Sequence, residues 1–117
     1  MQFTEIQFEG ARPVEGYGPG FFRIGGEVFE GALIVTARGV RSWGGVEDTD
    51  PVVALGAEAD VVFFGAGAEI AHVPAALRQA VEAAGFGIEA MSSPSACRTY
   101  NVLLSEGRRV ALALLPV

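Results

Sequence analysis

The second half of the chain alternates between apolar strand-like runs and amphipathic helical patterns, and this alternation restricts the fold more than any other feature. The run Val61–Phe64 is followed by a helical pattern over Pro74–Ala84, a strand over Gly87–Met91, a helix from Pro94 and a final strand over Arg108–Leu115. Strands that alternate with helices pair in parallel through right-handed crossovers. The pattern predicts an α/β fold with a β-α-β-α-β second half on a mixed, mostly parallel central sheet.

The first half of the chain is rich in glycine and reads as β structure. Gly25-Gly26 separates the apolar runs Phe21–Ile24 and Val28–Phe29, which predicts a hairpin because both glycines accept a positive φ. The glycine- and proline-rich segment Pro13–Pro19 predicts a loop. Further strand patterns cover Phe3–Phe8, Ala32–Thr36 and Gly39–Trp43. We expect an additional antiparallel hairpin layer, three layers in all, and a single domain over residues 1–117.

Charge and cysteine content narrow the classes of partner. The net charge of −6 argues against nucleic acid and against an anionic membrane surface. All eight cationic side chains are arginines, which excludes a Schiff-base lysine and a phosphate-loop lysine. One cysteine makes no internal disulfide, and no apolar run is long enough to span a bilayer. We therefore expect a cytoplasmic protein that is not embedded in a membrane.

A glycine loop follows the first strand of the second half. The segment Val61–Gly67 begins like a dinucleotide-binding fingerprint, but Ile70 stands where the third glycine belongs. What remains is a loop at the carboxyl end of a parallel strand, a place where open α/β sheets tend to bind ligands. Gly65 and Gly67 either contact a ligand or only permit a tight exit from the strand.

The unusual side chains are collected in the stretch Met91–Asn101, where a strand ends and a helix begins. Ser93 is predicted to cap this helix, with Pro94 at its first position and Gly107 past its end. Cys97 would lie in the first turn, where the helix dipole favours a thiolate. The alternative is a small buried hydrophobe. As a nucleophile, Cys97 would need the single histidine, His72, as its base.

Three residues that follow the cysteine complete this candidate pocket. Arg98, beside Asn101 and the amides of the helix N-terminus, is suited to a carboxylate or phosphate. Its alternatives are an ion pair with an acid such as Glu69 or plain exposure to water. Tyr100 is expected in the core with its hydroxyl on a backbone partner, and Asn101 has the alternative of bracing a loop.

Two aromatic residues beside glycines, Tyr17 and Trp43, are candidate interaction residues, and Trp43 has the alternative of capping the core. The segment Gly44–Pro51 that follows Trp43 is an acidic loop with Glu47, Asp48 and Asp50. It lacks the glycine and the terminal glutamate of a calcium loop, so no metal site is assigned.

Three motifs together resemble one small α/β family: Gly16-Tyr17-Gly18-Pro19-Gly20-Phe21-Phe22-Arg23-Ile24, then Val61–Gly67, then Cys97-Arg98-Thr99-Tyr100-Asn101. The resemblance runs from about Gly16 to Leu115. This family includes the mitochondrial complex I assembly factor 3, an adipogenesis-associated protein and many bacterial and archaeal members of unknown function. The resemblance implies a three-layer fold with a mixed sheet, helices packed on it and an extra β layer.

The same resemblance implies no established cofactor or enzymatic activity, and a mitochondrial relative that acts through protein partners. The leading hypothesis is a non-enzymatic accessory protein that binds another protein, with no catalytic residue assigned. The alternative is a small-ligand or anion binder, or an enzyme, whose pocket joins the Gly65–Gly67 loop to Ser93–Asn101. The oligomeric state is left open.

Overall fold

Two sheets and three α-helices make up the computed structural model, which describes residues 5–7 and 9–117. The strands are β1 (Glu5–Gln7), β2 (Val14–Gly18), β3 (Phe21–Ile24), β4 (Glu27–Glu30), β5 (Leu33–Thr36), β6 (Gly39–Ser42), β7 (Val61–Gly65), β8 (Gly87–Met91) and β9 (Val110–Leu114). The helices are α1 (Asp50–Val53), continued by a 3-10 turn over Ala54–Ala57, then α2 (Ala75–Ala83) and α3 (Ser93–Ser105). Phe3 and Phe8 of the predicted first strand lie outside the described residues.

The central sheet has six strands in the order β1-β6-β5-β9-β7-β8, and β2, β3 and β4 form a separate antiparallel sheet. The predicted α/β class, the mixed sheet, the β-α-β-α-β second half and the extra antiparallel layer are confirmed. Fewer of the described strands pair in parallel than expected: β7 pairs in parallel with β8 and with β9, and the other pairs of the central sheet are antiparallel. β5 forms an antiparallel hairpin with β6 and also pairs antiparallel with β9, so the hairpin adds antiparallel strands to the central sheet.

Side chains that alternate along the central strands build two cores, one on each face of the sheet. Phe63, Leu112 and Leu114 face α3 and the three-stranded sheet, while Phe64 and Ala113 face α1 and α2. Alternate residues of a strand point to opposite faces, and here both faces are apolar. The order of layers is therefore α1 with α2, then the six-stranded sheet, then α3 with the three-stranded sheet.

Two local predictions for the first half are wrong. Pro13–Pro19 is not a loop: β2 occupies Val14–Gly18 and pairs with β3 through an irregular register. The turn comes later, at Gly20, whose φ of 80° requires glycine. The acidic segment was predicted as a loop throughout, yet its end enters α1 at Asp50. Pro51, which suits a helix's first turn, was the available signal.

The predicted hairpin at Gly25-Gly26 is confirmed, with both glycines at positive φ and Ile24 paired with Glu27. The end of α3 is also as predicted. Gly107 has a φ of 78°, its N–H donates to the Leu104 carbonyl, and the next N–H, of Arg108, donates to the Leu103 carbonyl. This pair of bonds is a Schellman ending. Among the described residues, no helix has the length and apolarity that crossing a membrane requires.

Candidate functional site at the carboxyl ends of β7 and β8

Strands β7 and β8 are parallel neighbours whose following connections leave toward opposite faces of the sheet. The connection after β7 leads to α2, which packs in one core, and the connection after β8 leads to α3, which packs in the other. Such a divergence of two neighbouring connections is the switch point of an open α/β sheet, and it leaves a crevice beyond the strand ends.

A shallow groove of about 490 Å³ lies at this position, lined by Ala68, Glu69, Ile70, Met91, Ser92 and Ser95. Ile70 is 69% exposed, the most exposed of the large hydrophobic residues that the structure describes. Glu69 is exposed as well. The groove therefore offers an apolar surface with a negative charge and serine hydroxyls.

Beside the groove, Ser93 ties three chain segments together. Its hydroxyl donates to the Leu115 carbonyl at 2.6 Å and accepts from the Gly67 N–H at 2.9 Å. Its own N–H donates to the Gly67 carbonyl at 2.7 Å. Ser93 is 0% exposed, so both bonds of its hydroxyl are made away from water. We call this arrangement the Ser93 junction; it joins the ends of β7 and β9 to the start of α3.

Gly65 is required by close packing at the Ser93 junction rather than by an unusual φ. A Cβ placed on Gly65 would lie 2.9 Å from Ser93 Cα and 2.6 Å from Leu114 Cδ2. Gly67 has a φ of 101°, which side chains rarely adopt. The structure thus brings together Gly65, Gly67 and Ser93 of the predicted pocket, and their contacts are with one another and with β9.

The prediction that Ser93 caps α3 is wrong by one residue. Ser92 is the cap: its hydroxyl accepts from the Ser95 N–H at 3.3 Å, and its carbonyl accepts from the Ala96 N–H. Either serine suits a cap, and the choice follows from burial, because the Ser93 hydroxyl is taken by Gly67 and Leu115. The N–H groups of residues 93, 95 and 96 all donate to acceptors within the chain, and Pro94 has no N–H. The first turn of α3 therefore has no free N–H at these positions for a ligand.

Cys97 lies in the core between α3 and the sheet and is 4% exposed. Burial raises the pKa of the Cys97 thiol to about 12, and the positive charge of Arg98 offsets only part of that effect. The thiol is therefore protonated at neutral pH, and of the two readings of Cys97 the geometry favours the small buried hydrophobe.

His72 does not share a core with Cys97. It is exposed, and its neighbour Val73 packs in the cluster on the α2 face, whereas Cys97 packs on the α3 face. The central sheet lies between those two clusters. The structure does not bring the histidine and the cysteine together as a nucleophile and its base.

Arg98 and Asn101, three residues apart on α3, have different hydrogen-bond partners. Arg98 is exposed, and its guanidinium donates to the Ser95 hydroxyl at 3.2 Å. Asn101 makes two bonds to one residue of β2: its amide donates to the Val14 carbonyl and its oxygen accepts from the Val14 N–H, each at 2.8 Å. The bracing alternative for Asn101 is what the geometry supports.

Tyr100 is fully buried, as expected for a core residue. Its hydroxyl has no hydrogen-bond partner among the described residues, which differs from the expected backbone bond. Burial, with a smaller effect from the charge of Glu58, raises the pKa of Tyr100, so the phenol stays neutral.

The two aromatic candidates differ in exposure. Tyr17 is 47% exposed, while Trp43 is buried, packs edge-to-face on Phe64 and donates from its indole to the Asp48 carbonyl at 2.8 Å. The Asp48 carboxylate accepts from the Gly44 N–H at 3.1 Å. Asp48 thus folds the acidic loop back over Trp43. Among the described residues, no group of three metal-ligating side chains is close enough to hold an ion.

The groove and the predicted pocket residues lie beside each other but share no lining residue. The groove is lined by the residues just past Gly67 and just before and after Ser93, not by those glycines and Cys97. The available signal was Ile70, the largest apolar residue in the connection between β7 and α2.

Three comparisons place the chain among known proteins. It is 51% identical, over its full length and 94% of the relative, to an uncharacterised protein of Rhodobacter capsulatus. It is 29% identical, over 86% of its length, to a zebrafish protein named NADH dehydrogenase [ubiquinone] 1 alpha subcomplex assembly factor 3, and spans 62% of that factor. A crystal structure described as an outer membrane protein from Bartonella henselae matches with a TM-score of 0.82 at 32% identity, covering 92% of this chain and 97% of that one.

The family model described as protein of unknown function (DUF498/DUF598) matches residues 14–115. That range begins at β2 and ends just past β9, so it contains the three-stranded sheet, the groove and the Ser93 junction. The chain belongs to the DUF498/DUF598 family, whose relatives include the assembly factor named above.

Proposed function

We propose that this chain is a non-enzymatic accessory protein that binds another protein, in the manner of a respiratory-complex assembly factor. The observation that carries the proposal is the relationship, over 86% of the chain, to a protein named as an assembly factor of NADH dehydrogenase. The proposal includes a location inside the cell, where such a complex is built.

The geometry of the Ser93 junction supports this function over the ligand or enzyme alternative. The polar groups of Gly67 and Ser93 form hydrogen bonds with each other and with Leu115. Asn101 is committed to Val14, and burial raises the pKa of the Cys97 thiol. Residues that together would make an anion pocket or a nucleophile are thus used to hold α3 against the sheet.

The groove supports the same function because its chemistry suits a protein surface. It is shallow and carries the exposed apolar Ile70 beside Glu69. Exposed apolar residues rimmed by polar ones are typical of protein contacts.

The test is deletion of the gene in the cells that encode it, followed by native-gel analysis of NADH:ubiquinone oxidoreductase. We expect less of the intact complex and an accumulation of subcomplexes. The wild-type chain and the Cys97→Ala variant should both restore assembly, because Cys97 serves packing. Normal assembly in the deletion strain contradicts the proposal. Failure of a folded Cys97→Ala chain to restore assembly would instead favour chemistry at the thiol.

A further inference from the structure

Strand β8 is an edge of the central sheet, and its outer side has free backbone groups. Met91 accepts from the Ala66 N–H and Gly87 donates to the Asp60 carbonyl, so residues 87, 89 and 91 bond toward β7. Bonds in a parallel ladder involve alternate residues of each strand. Ile88 and Ala90 consequently direct their N–H and C=O groups outward, away from the sheet.

Only one of these outward groups has a partner among the described residues. The Ile88 carbonyl accepts from the Arg78 guanidinium at 3.4 Å, a long bond. The N–H groups of Ile88 and Ala90 and the Ala90 carbonyl remain available. A row of unpaired backbone groups is a template for another extended chain. The same strand ends at Met91, which lines the groove, so the edge and the groove form one continuous surface.

We propose that the β8 edge, together with the groove beside Ile70, binds an extended basic segment of the partner protein as an added strand. The inference rests on the proposed function and specifies which surface performs it. The partner strand would bond to Ile88 and Ala90, and an apolar side chain at its end would pack on Ile70 and Met91. Main-chain bonds give affinity in this mode of recognition, and side-chain pockets give specificity.

Charge determines the chemistry of that occupant. The carboxylates of Glu69, Glu82 and Glu89 are exposed around this surface, and the net charge of the chain is −6. Of the nearby cations, Arg78 is paired with Glu82 at 3.6 Å, and Arg98 contacts Ser95 at the groove. Glu69 and Glu89 are exposed and have no ion pair with the residues that the structure describes, which favours lysine or arginine on the incoming strand.

A second copy of this chain fits the edge less well. An antiparallel pair that joins Ile88 to Ala90 of the other copy places Glu89 directly opposite Glu89. Like charges directly opposite one another on paired strands are destabilising. Two chains of net charge −6 also repel at a distance.

The test uses the full chain and blocked synthetic peptides of about six residues, the usual length of a strand. One peptide alternates lysine with valine, and its counterpart alternates glutamate with valine. We expect the lysine peptide to shift the amide NMR signals of Ile88 and Ala90, and the glutamate peptide to shift neither. Ala90→Pro, which removes an outward N–H that the ladder does not use, should weaken binding at least about tenfold.

Matched variants on another edge strand serve as controls. Val28→Pro and Glu30→Lys change β4, whose residues 28 and 30 are exposed, and should leave the affinity for the lysine peptide unchanged. Glu89→Lys should reverse the preference between the two peptides. This surface change keeps the test decisive if Ala90→Pro does not fold.

Absence of binding, binding that shifts signals elsewhere, or an unchanged affinity of the folded Ala90→Pro variant would overturn the inference. A dimer that is detected by sedimentation and that Ala90→Pro dissociates would also overturn it, since the occupant would then be a second copy.

The proposed function is tested independently of this inference. If the deletion strain assembles its complex normally while the peptide binds β8, the binding surface at the β8 edge is supported and the assembly function is contradicted. If assembly needs the chain but the Ala90→Pro variant restores it fully, the assembly function is supported and the binding surface at the β8 edge is contradicted.

Discussion

At the scale of single residues, polar side chains near the strand ends serve the fold. Ser93 is fully buried and is bonded at both its donor and its acceptor position. Asn101 likewise satisfies both backbone groups of Val14. Buried polar groups are costly unless paired, and these pairs are complete. For Ser93 and Asn101, hydrogen bonds between distant parts of the chain therefore account for the polar side chain.

Ser93→Ala should lower the free energy of unfolding by about 2 kcal/mol, because it leaves the buried Gly67 N–H and the part-buried Leu115 carbonyl without their partner. Urea denaturation measures the change. Ser105→Ala is the matched control: its hydroxyl is exposed, and its loss should change stability by less than about 0.5 kcal/mol. Equal effects of the two variants would show that the Ser93 junction contributes nothing special.

The Cys97 thiol makes stability depend on pH in the alkaline range. Its pKa is about 12 in the folded chain against an ordinary 9.0, so the unfolded chain releases the proton first. The contribution of the thiol to the free energy of unfolding is fully present below pH 9. It falls as the pH rises toward 12, by at most about 1.4 kcal/mol per pH unit. Tyr100, whose pKa is also raised, adds in the same direction.

Cys97→Ala isolates the contribution of the thiol, and the unfolding free energies of wild type and variant should converge as pH rises above 9. Thiol labelling of the native chain at neutral pH should proceed only as fast as the chain unfolds. Rapid labelling without unfolding would show an accessible, activated cysteine.

At the scale of elements, helix α3 connects the two sheets. It contacts β7 and β9 through one core and holds β2 through Asn101. The alternation of strands and helices from Val61 onward was predictable because apolar periodicity is local. The positions of β2 and α1 were not, since a glycine-rich strand reads as a turn and a four-residue helix has no periodicity.

Asn101→Ala should loosen the three-stranded sheet before the central sheet. It leaves both backbone groups of Val14 without their bonds and should cost about 2 kcal/mol. Hydrogen exchange should then show lost protection in β2 and β3, with β7 and β9 less affected. Val102→Ala, on the neighbouring exposed position of the helix, should change little. Uniform loss of protection in both sheets would contradict the separate role of this clamp.

At the scale of the whole molecule, the face of the fold at the β8 edge combines free backbone groups, an apolar groove and acidic side chains. The order of elements predicted a pocket at the carboxyl ends of β7 and β8, but it did not indicate the free edge of β8. It did not predict which side chains face inward, since that depends on contacts between residues far apart in the chain. Ser93 bonding to Leu115 is an example, as is Ile70 left outside the core.

The most direct test of this account is photocrosslinking in cells from two exposed aliphatic positions, with a photoreactive side chain replacing either Ile70 or Val28. Both residues are well exposed, and they lie on different layers of the fold. We expect a discrete protein adduct from position 70, lost when Ala90→Pro is added, and none from position 28. An adduct from position 28 alone, or one from position 70 that Ala90→Pro leaves unchanged, would contradict a docking surface at the β8 edge.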